Sequence, residues 1–314
     1  MRVGIIGFGS IARHHVKAFQ QFSQVEILVS SRSEENRQGA KDLGIQEIYP
    51  EHHTMMKEGN PDALLICVPP LAVVEVMQSC IPYGKPILVE KPVGLHPSET
   101  LRLAELADVH NCPVMVGMNR RFYTNVSKAK EMIKKGELLG ISVNAPDRMH
   151  LIRKANIHPP EVLERWLYAN IIHSLDLIRF WGGDALFVNA IKKETNEPFT
   201  NSYIANIVME NDIFAQYTAH FSSPGRWCID IYLRERRISF TGHESAIVTD
   251  RSGETYPLDI DGFDLECKPG FYHQASYFLE EAQSNRAEKF KGFDLWDAVK
   301  TMELIREIDE APFV

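Results

Sequence analysis

The chain has 314 residues, enough for two domains with separate hydrophobic cores. Hydrophobic residues make up 44% of it and charged residues 24%, which is ordinary globular composition. The formal net charge of -8 argues against nucleic acid as a partner, because binding to phosphates requires a basic surface.

Several features are missing from the sequence, and their absence leads to expectations about where the protein is located and whether it binds a metal. No apolar run approaches the length of a membrane span, so no membrane partner is expected. Met1 leads directly into a predicted strand, without the basic segment and apolar core of a signal peptide, and a cytoplasmic location is therefore expected. The five cysteines form no Cys-x-x-Cys pair, and adjacent histidines project in different directions on a helix. Neither a metal site nor a disulfide framework is predicted.

The first third of the chain alternates short apolar runs with helical patterns. The predicted strands are residues 2–6, 25–30, 47–49, 63–68, 87–90 and 114–117. The predicted helices are residues 10–22, 34–43, 52–58, 71–83 and 97–109. Strands that alternate with helices of this length predict an α/β fold with a parallel sheet wound on both faces.

The pattern changes after about residue 119, where strands begin to follow one another. Predicted helices cover residues 126–135 and 160–181, and a strand lies near Ile141. The later predicted strands are residues 185–192, 203–209, 213–221, 227–233, 238–241 and 246–249, with a hairpin turn at 210–212. Helices at 272–284 and 295–307 end the chain. This order predicts an α+β domain with a largely antiparallel sheet, and hence two domains, residues 1–118 and 119–314.

A dinucleotide-binding fingerprint follows the first predicted strand. In Gly7-x-Gly9-x-x-Ala12, the first glycine permits a tight turn and the second lets the backbone approach a pyrophosphate. Ala12 lets helix and strand pack closely, and the helix amino terminus offers amides and a positive dipole to phosphate. The expected cofactor contacts in this loop are Gly7, Phe8, Gly9, Ser10 and Ile11.

The end of the second predicted strand bears on the choice of cofactor. NAD-preferring sites usually place an acid there for the ribose 2′-hydroxyl, whereas this chain has Ser31-Arg32. A hydroxyl and a guanidinium suit a 2′-phosphate, so NADP(H) is favoured over NAD(H). Glu34 and Glu35 follow where a helix should begin, and the helix dipole accounts for acids at that position.

Three further motifs carry a family resemblance: Glu90-Lys91-Pro92 after a strand, Asn119-Arg120-Arg121-Phe122, and His173-x-x-Asp176. With the fingerprint, they make the chain resemble the glucose–fructose oxidoreductase / inositol dehydrogenase / MocA (Gfo/Idh/MocA) family over nearly its whole length. The resemblance implies a Rossmann domain followed by an open-faced sheet domain. It also implies oxidation or reduction of sugars, cyclitols and related compounds with NAD(P), and a homodimer or homotetramer formed through the sheet.

The resemblance assigns Lys91 and His173 as catalytic residues. Lys91 would lie beside the nicotinamide and the reacting oxygen, where a partly buried lysine exchanges a proton near neutral pH and stabilises a developing alkoxide. His173 would act as a general acid or base, or would orient the substrate hydroxyl. The remaining expected cofactor contacts are Val68, Pro69, Glu90, Lys91 and Asn119. The expected substrate contacts are Arg120, Arg148, His150, Trp166, Asn170 and Tyr272.

The chain departs from the family pattern near His173. Many members carry an aspartate four residues before this histidine, where the present chain has Ala169. Asn170 is adjacent but cannot accept a proton as a carboxylate does, and on a continuous helix it would point about 100° away. Asp176 is expected to be mainly structural.

Two classes of function remain open from the sequence. The first is an NADP(H)-preferring dehydrogenase or reductase that acts on a secondary alcohol or ketone of a sugar-like compound. The alternative, favoured by Ala169, is a dinucleotide- or sugar-binding regulator without chemistry. A third reading is transient oxidation that assists elimination or bond cleavage. Five arginines, at 120, 121, 148, 153 and 165, support the further hypothesis of an anionic substrate.

Overall fold

The structure is a computed structural model that describes residues 1–195, 197–242, 244–284 and 290–313, except for the side chain of Asn211. The chain forms two compact units. The first comprises Met1–Asn119 and Phe263–Val299, and the second comprises Arg120–Gly262 and Lys300–Val314. Among the described residues, no helix has both the length and the apolar character that crossing a membrane requires.

The first unit contains a parallel sheet. Its strands are β1 (Arg2–Ile6), β2 (Glu26–Ser30), β3 (Glu47–Tyr49), β4 (Ala63–Ile66), β5 (Ile87–Glu90) and β6 (Val114–Gly117), in the order β3-β2-β1-β4-β5-β6. The early helices are α1 (Ser10–Phe19), α2 (Glu34–Asp42), α3 (His52–Thr54), α4 (Val73–Cys80) and α5 (Pro97–Val109). Every residue of β4 is buried, as expected for a strand covered on both faces. The predicted doubly wound α/β fold is confirmed, and each strand lies where its apolar run predicts it.

Local signals explain where α5 begins. Pro97 occupies its first turn, and the Glu99 carboxylate accepts the backbone amides of Leu95 and His96 at 2.8 and 3.0 Å. Those bonds satisfy amides that the helix leaves without partners, and the fixed φ of proline suits the first helical position. The start at Pro97 therefore agrees with the sequence prediction.

The second unit contains a mixed sheet, mostly antiparallel as predicted. Its strands are β7 (Leu138–Pro146), β8 (Ala185–Lys193), β9 (Ser202–Met209), β10 (Ile213–His220), β11 (Cys228–Leu233), β12 (Arg236–Thr241), β13 (Ala246–Asp250) and β14 (Thr255–Pro257). The order is β14-β13-β12-β11-β7-β10-β9-β8. Neighbours are antiparallel except β7 and β10, which run parallel in the described sheet. A short helical turn, Glu210–Asp212, forms the predicted hairpin between β9 and β10.

The helices of the second unit cover one face of this sheet. They are α6 (Thr124–Met132), α7 (Met149–Ala155), α8 (Pro160–Glu164), α9 (Trp166–Ala169) and α10 (Ile172–Gly182). The Trp181 ring at the end of α10 stacks on Phe240 of β12 at 5.5 Å. Along β9 and β10 buried and exposed residues alternate, because successive side chains of a strand point to opposite faces. The uncovered face makes the sheet open-faced.

The later helices are α11 (Gly262–Glu266), α12 (Phe271–Gln283) and α13 (Leu295–Asp309). The sequence predicts one domain boundary at residue 118, whereas the structure returns residues 263–299 to the first unit. Two contacts within that unit explain the difference. The backbone amide of Val116 in β6 donates to Phe293 at 2.8 Å, and α12 packs on α1.

Candidate functional site

The fingerprint loop has the geometry that its glycines predict. Gly7 has φ +86°, and a Cβ there would lie 2.6 Å from the Cys67 carbonyl oxygen, so a larger residue would be strained and would clash. Gly9 differs, because a Cβ on it would meet no atom within 4 Å. The loop is therefore tight at Gly7 and open at Gly9, where the backbone can approach a ligand.

The amino terminus of α1 suits an anion. Gly9 occupies the capping position, so no side chain caps the helix, and its first turn holds no acidic residue. The first amides of the helix are thus available to a phosphate, with the positive end of the dipole behind them. Ala12 is fully buried against the sheet, as predicted. The Phe8 side chain is also buried, so only its backbone can contribute to the expected contact.

The end of β2 leaves a positive side chain exposed. Ser31 is buried and Arg32 is exposed, directly after the strand. Arg37 of α2 donates to the carbonyls of Ser31 and Arg32 at 2.7 and 2.9 Å, which fixes this turn. Arg37 also pairs with Glu34, so the first acid after the turn already has a cationic partner. The end of β2 therefore presents an exposed guanidinium, while the nearest acid is paired with Arg37.

Lys91 lies where the sequence predicts it, half-buried and directly after β5. Its peptide bond to Pro92 is cis. Glu90, the last residue of β5, accepts a 2.7 Å hydrogen bond from His15 of α1. The neighbouring strand ends at Gly117, where a Cβ would lie 3.3 Å from the Glu90 carboxylate carbon. The glycine therefore leaves room for Glu90.

The other cofactor candidates of the first unit lie at strand ends. After β4, Val68 is half-buried and reaches the fingerprint, since its Cγ1 would lie 3.0 Å from a Cβ on Gly7. Pro69 is exposed. After β6, Asn119 is buried and its amide donates to the Pro269 carbonyl at 3.2 Å.

His173 is buried in the first turn of α10 in the second unit. One turn later, Asp176 accepts two hydrogen bonds from Arg121, at 2.7 and 2.5 Å, and a third from Thr301 at 3.2 Å. Arg121 and Asp176 are both almost completely buried. Asp176 thus makes the structural contacts expected of it. Arg121 neutralises it and is unsuited to holding an anionic substrate.

The structure reveals a carboxylate that the sequence reasoning missed. Asp147 follows β7, and its Oδ2 accepts hydrogen bonds from Trp166 Nε1 at 2.8 Å and from Asn170 Nδ2 at 3.3 Å. Its Oδ1 accepts the backbone amide of Arg148 at 2.8 Å. Asp147 is only half-buried. An acid directly after a strand was the available signal, but nothing local indicates that Trp166 and Asn170 meet it.

Arg120 belongs to the same surroundings. Burial lowers its pKa to about 10, while the negative charges of Glu244 and Asp147 act in the opposite direction, as does Tyr123. Its guanidinium lies 4.2 Å from the centre of the Trp227 ring, a cation–π contact. Arg120 is therefore a half-buried cation on which carboxylates act.

A break in the helical segment explains how Asn170 reaches Asp147. The sequence predicts one helix over residues 160–181, whereas the structure ends α9 at Ala169 and begins α10 at Ile172. Asn170 is not helical, with φ -125° and ψ -46°. The expected 100° offset on a continuous helix therefore does not apply, and the Asn170 amide is free to turn towards the strand.

Several predicted substrate contacts lie elsewhere or on the surface. Tyr272 stacks on Phe263 at 3.6 Å and on Phe22 at 5.1 Å. Phe22 lies beyond the carboxyl-terminal end of α1, whereas the fingerprint adjoins its amino-terminal end. Tyr272 therefore packs against two aromatic rings, one of which lies beyond the carboxyl-terminal end of α1. The exposed candidates on or next to α7 are Arg148, His150 and Arg153. Arg165 pairs with Asp309 at 3.0 Å.

Comparison with known proteins adds to this geometry. A family described as "Oxidoreductase family, NAD-binding Rossmann fold" (GFO_IDH_MocA) matches residues 1–118. Myo-inositol 2-dehydrogenase of Thermotoga maritima is 24% identical over 308 residues, which is 93% of this chain and 87% of that protein. Residues 1–118 thus match the Gfo/Idh/MocA family of oxidoreductases, and nearly the whole chain is similar to an inositol dehydrogenase.

Solved structures of similar fold include a protein bound to NAD+ and a protein that is named as NADPH-dependent. An oxidoreductase of Agrobacterium radiobacter in complex with NAD+, L-tartaric acid and magnesium has a TM-score of 0.80 at 17% identity, covering 99% of this chain and 96% of that one. A putative NADPH-dependent oxidoreductase of Desulfitobacterium hafniense has a TM-score of 0.83 at 17% identity, covering 98% and 94%. At this identity the likeness shows the fold alone and leaves the cofactor preference open.

Proposed function

We propose that this protein is a Gfo/Idh/MocA dehydrogenase or reductase that interconverts a secondary alcohol and a ketone on a sugar-like substrate. The observation that carries the proposal is the half-buried Lys91 at the carboxyl end of β5, in the same unit as an open fingerprint loop and an uncapped helix terminus. Ligands of such sheets bind at the carboxyl ends of the strands. A regulator that only binds has no need of a lysine at that point.

The chemistry assigned to Lys91 follows from its charge states. A bound nicotinamide supplies or accepts the hydride. When an alcohol is oxidised, the hydroxyl proton passes to neutral Lys91 as the hydride leaves the carbon. When a ketone is reduced, the Lys91 ammonium returns that proton to the oxygen and stabilises the negative charge that develops there. By family resemblance, His173 acts as an acid or base, or orients the substrate hydroxyl.

Asp147 is proposed as an additional substrate-binding group. Trp166 and Asn170 fix one of its oxygens, and the half-buried carboxylate retains capacity to accept from substrate hydroxyls. The chain thereby places a carboxylate in the second unit although residue 169 is alanine.

A neutral substrate is favoured over the anionic one that the arginine count suggests. Arg121 pairs with Asp176, Arg165 pairs with Asp309, and Arg120 lies near Asp147. Arginines already neutralised by carboxylates have little remaining attraction for another anion. The proposed substrate class is therefore a neutral sugar or cyclitol.

A turnover screen tests the proposed function. Purified protein would be given NADP+ or NADPH with a panel of neutral polyols, keto-sugars and sugar acids, while NADPH absorbance and product composition are followed. We expect turnover, with the highest kcat/KM for a neutral compound. Sugar acids that consistently outcompete neutral compounds would contradict the proposed substrate class. Binding without consumption or new products would support the regulator, and new products without net absorbance change would indicate transient oxidation.

Arg32 is predicted to determine a preference for NADP(H). A charge-assisted hydrogen bond to phosphate contributes about 1.5–3 kcal/mol, so Arg32→Ala should raise the KM for NADPH roughly 10- to 100-fold. The KM for NADH should change little, because its ribose has no 2′-phosphate. Steady-state kinetics with both cofactors measure this, and the exposed Arg102→Ala on α5 is the control. A wild-type kcat/KM that is higher with NADH would contradict the preference.

The open face of the second unit's sheet is proposed to bind a second copy of the chain, as family resemblance implies. Large apolar side chains protrude there. Phe187 is 60% exposed and Phe214 is 67% exposed, and both line one groove. A contiguous apolar patch of this kind marks an interaction surface.

Phe214→Asp is predicted to reduce the oligomer to monomers. A carboxylate placed in an apolar interface loses its hydration without gaining a partner, which opposes association. Sedimentation velocity on wild type and variant measures the change. Val109→Asp, at an exposed apolar position at the end of α5, is the control and should leave the oligomer intact. A wild-type monomer at micromolar concentration would exclude the proposed association.

A further inference from the structure

The residue before Lys91 is tied to the helix that carries the fingerprint. Glu90 Oε1 lies 2.7 Å from Nε2 of His15, although the two residues are 75 positions apart in the chain. His15 lies in the second turn of α1 and its side chain is completely buried. This contact joins the phosphate-facing helix to the strand that ends at the proposed catalytic lysine.

The surroundings of His15 determine which atom carries the proton. Its ring packs 4.5 Å from the ring of Phe271 and 6.3 Å from that of Phe19. Nδ1 has no hydrogen-bond partner among the described residues. A proton on Nδ1 would be a buried donor without an acceptor, which costs about 1–3 kcal/mol. The arrangement that fits therefore has the proton on Nε2, which donates to the Glu90 carboxylate.

Glu90 is held from a second side by the sheet. It pairs in register with Gly117 of β6, where even a methyl group would come within 3.3 Å of the Glu90 carboxylate carbon. The carboxylate thus lies in a narrow space between His15 and the backbone of β6. Its orientation in that space depends on the His15 donor.

We propose that His15 is a positioning residue for Lys91, acting through its hydrogen bond to Glu90. The bond holds the last residue of β5, and hence the backbone of Lys91, in one position. It also satisfies the carboxylate of the residue that precedes Lys91. This inference rests on the proposed function only for its kinetic consequence, since its first test is made on the protein without substrate.

Two other titratable groups, Cys67 and His14, interact with Glu90 and His15, and both are neutral near pH 7. Burial raises the pKa of the Cys67 thiol well above its usual value, with the Glu90 charge adding to the effect, so Cys67 remains a neutral thiol. Burial lowers the pKa of His14, with help from Lys268, His15 and Lys17, so His14 remains neutral near pH 7. Lys17 and Lys268 are cations that act on His14.

The test compares two substitutions of His15 with one control. His15→Leu removes the donor, whereas His15→Gln places an amide donor at similar reach. His52→Leu removes a different hydrogen bond in the same unit, from His52 to Ser79 at 2.9 Å, and is the matched control. All variants are first checked for folding by circular dichroism and for NADPH binding by fluorescence.

The first readout is the pKa of Lys91 in the substrate-free protein. It is measured by NMR titration of ¹³C-labelled lysine side chains, with the Lys91 signal assigned from its absence in Lys91→Ala. We expect a higher pKa in His15→Leu than in wild type, because the Glu90 carboxylate, one residue away in sequence, has lost its donor. His15→Gln and His52→Leu should stay close to wild type. An unchanged Lys91 pKa in folded His15→Leu would overturn the inference.

The second readout is kinetic, with the compound of highest kcat/KM from the screen. His15→Leu should lower kcat roughly 10- to 100-fold through misplacement of Lys91, with little change in the KM for NADPH. His15→Gln should recover most of the loss, and its failure to do so in a folded protein would count against the inference.

Should His15→Leu not fold, Glu90→Gln replaces it, and the expected result is a lower Lys91 pKa. An unchanged Lys91 pKa in that variant would refute the charge coupling. Loss of the proposed function would appear separately, as undiminished turnover in Lys91→Ala.

Discussion

Replacement of Lys91 with alanine is expected to reduce kcat by about 10²- to 10⁴-fold, the usual contribution of a positioned acid–base group. The side chain is half-buried at the end of β5, next to Glu90, and it is the group assigned to hold the substrate proton. The fingerprint that would bind the pyrophosphate depends on Gly7, Gly9 and the α1 amides, which this substitution leaves in place. Turnover and NADPH fluorescence titration, measured on the same preparation, separate the two effects.

The matched control for Lys91 is Lys57→Ala, which removes an exposed lysine of the first unit. Both its turnover and its NADPH affinity should equal those of wild type. Turnover of Lys91→Ala near the wild-type level would refute the catalytic assignment. A loss of NADPH binding that equals the loss of turnover would instead make Lys91 a cofactor-binding residue.

Asp176→Ala is expected to lower the free energy of unfolding by about 3–5 kcal/mol. The substitution leaves the Arg121 guanidinium, whose side chain is 3% exposed, without the two hydrogen bonds of 2.7 and 2.5 Å that Asp176 accepts. A buried cation that loses its counter-charge keeps the cost of lost hydration without the attraction that offset it. The shift of the urea midpoint at constant m-value measures the effect.

Two further variants distinguish the contribution of the Arg121–Asp176 ion pair from the cost of leaving one charge buried alone. In the double variant Arg121→Met with Asp176→Leu no unpaired charge is buried, so it should lose less stability than Asp176→Ala. Arg306→Ala breaks surface pairs with Glu303 and Glu310 and should cost at most about 1 kcal/mol. A loss below about 1 kcal/mol in Asp176→Ala would contradict the stabilising role given to the pair.

The parallel sheet of the first unit is largely readable from the sequence. Strands such as Arg2–Ile6 are short apolar runs between helical patterns, and the turns that follow them contain residues with a local reason to be there. The positive φ of Gly7 and the capping of α5 by Glu99 are examples. Because these causes act between residues close together in the chain, the predicted positions agree with the structure.

The helical segment before His173 shows where local patterns fail. Apolar periodicity from residue 160 to 181 predicts one helix, but the structure breaks it at Arg165 and again at Asn170. The Asn170 amide and Trp166 Nε1 both donate to Asp147, more than 18 residues earlier. Helix propensity is weak compared with such tertiary contacts, so the sequence pattern could not reveal the break.

The sequence by itself determined the family resemblance, the cofactor fingerprint and the place of Lys91 at a strand end, because each depends on a few adjacent residues. Only the tertiary structure decided which charges are neutralised. Arg121 and Asp176 are 55 residues apart, and His15 and Glu90 are 75 apart. The chain has 42 acidic and 34 basic residues, so no spacing rule selects these partners. They are selected by burial, because a charged or polar group removed from water must find its partner among whatever the fold brings beside it.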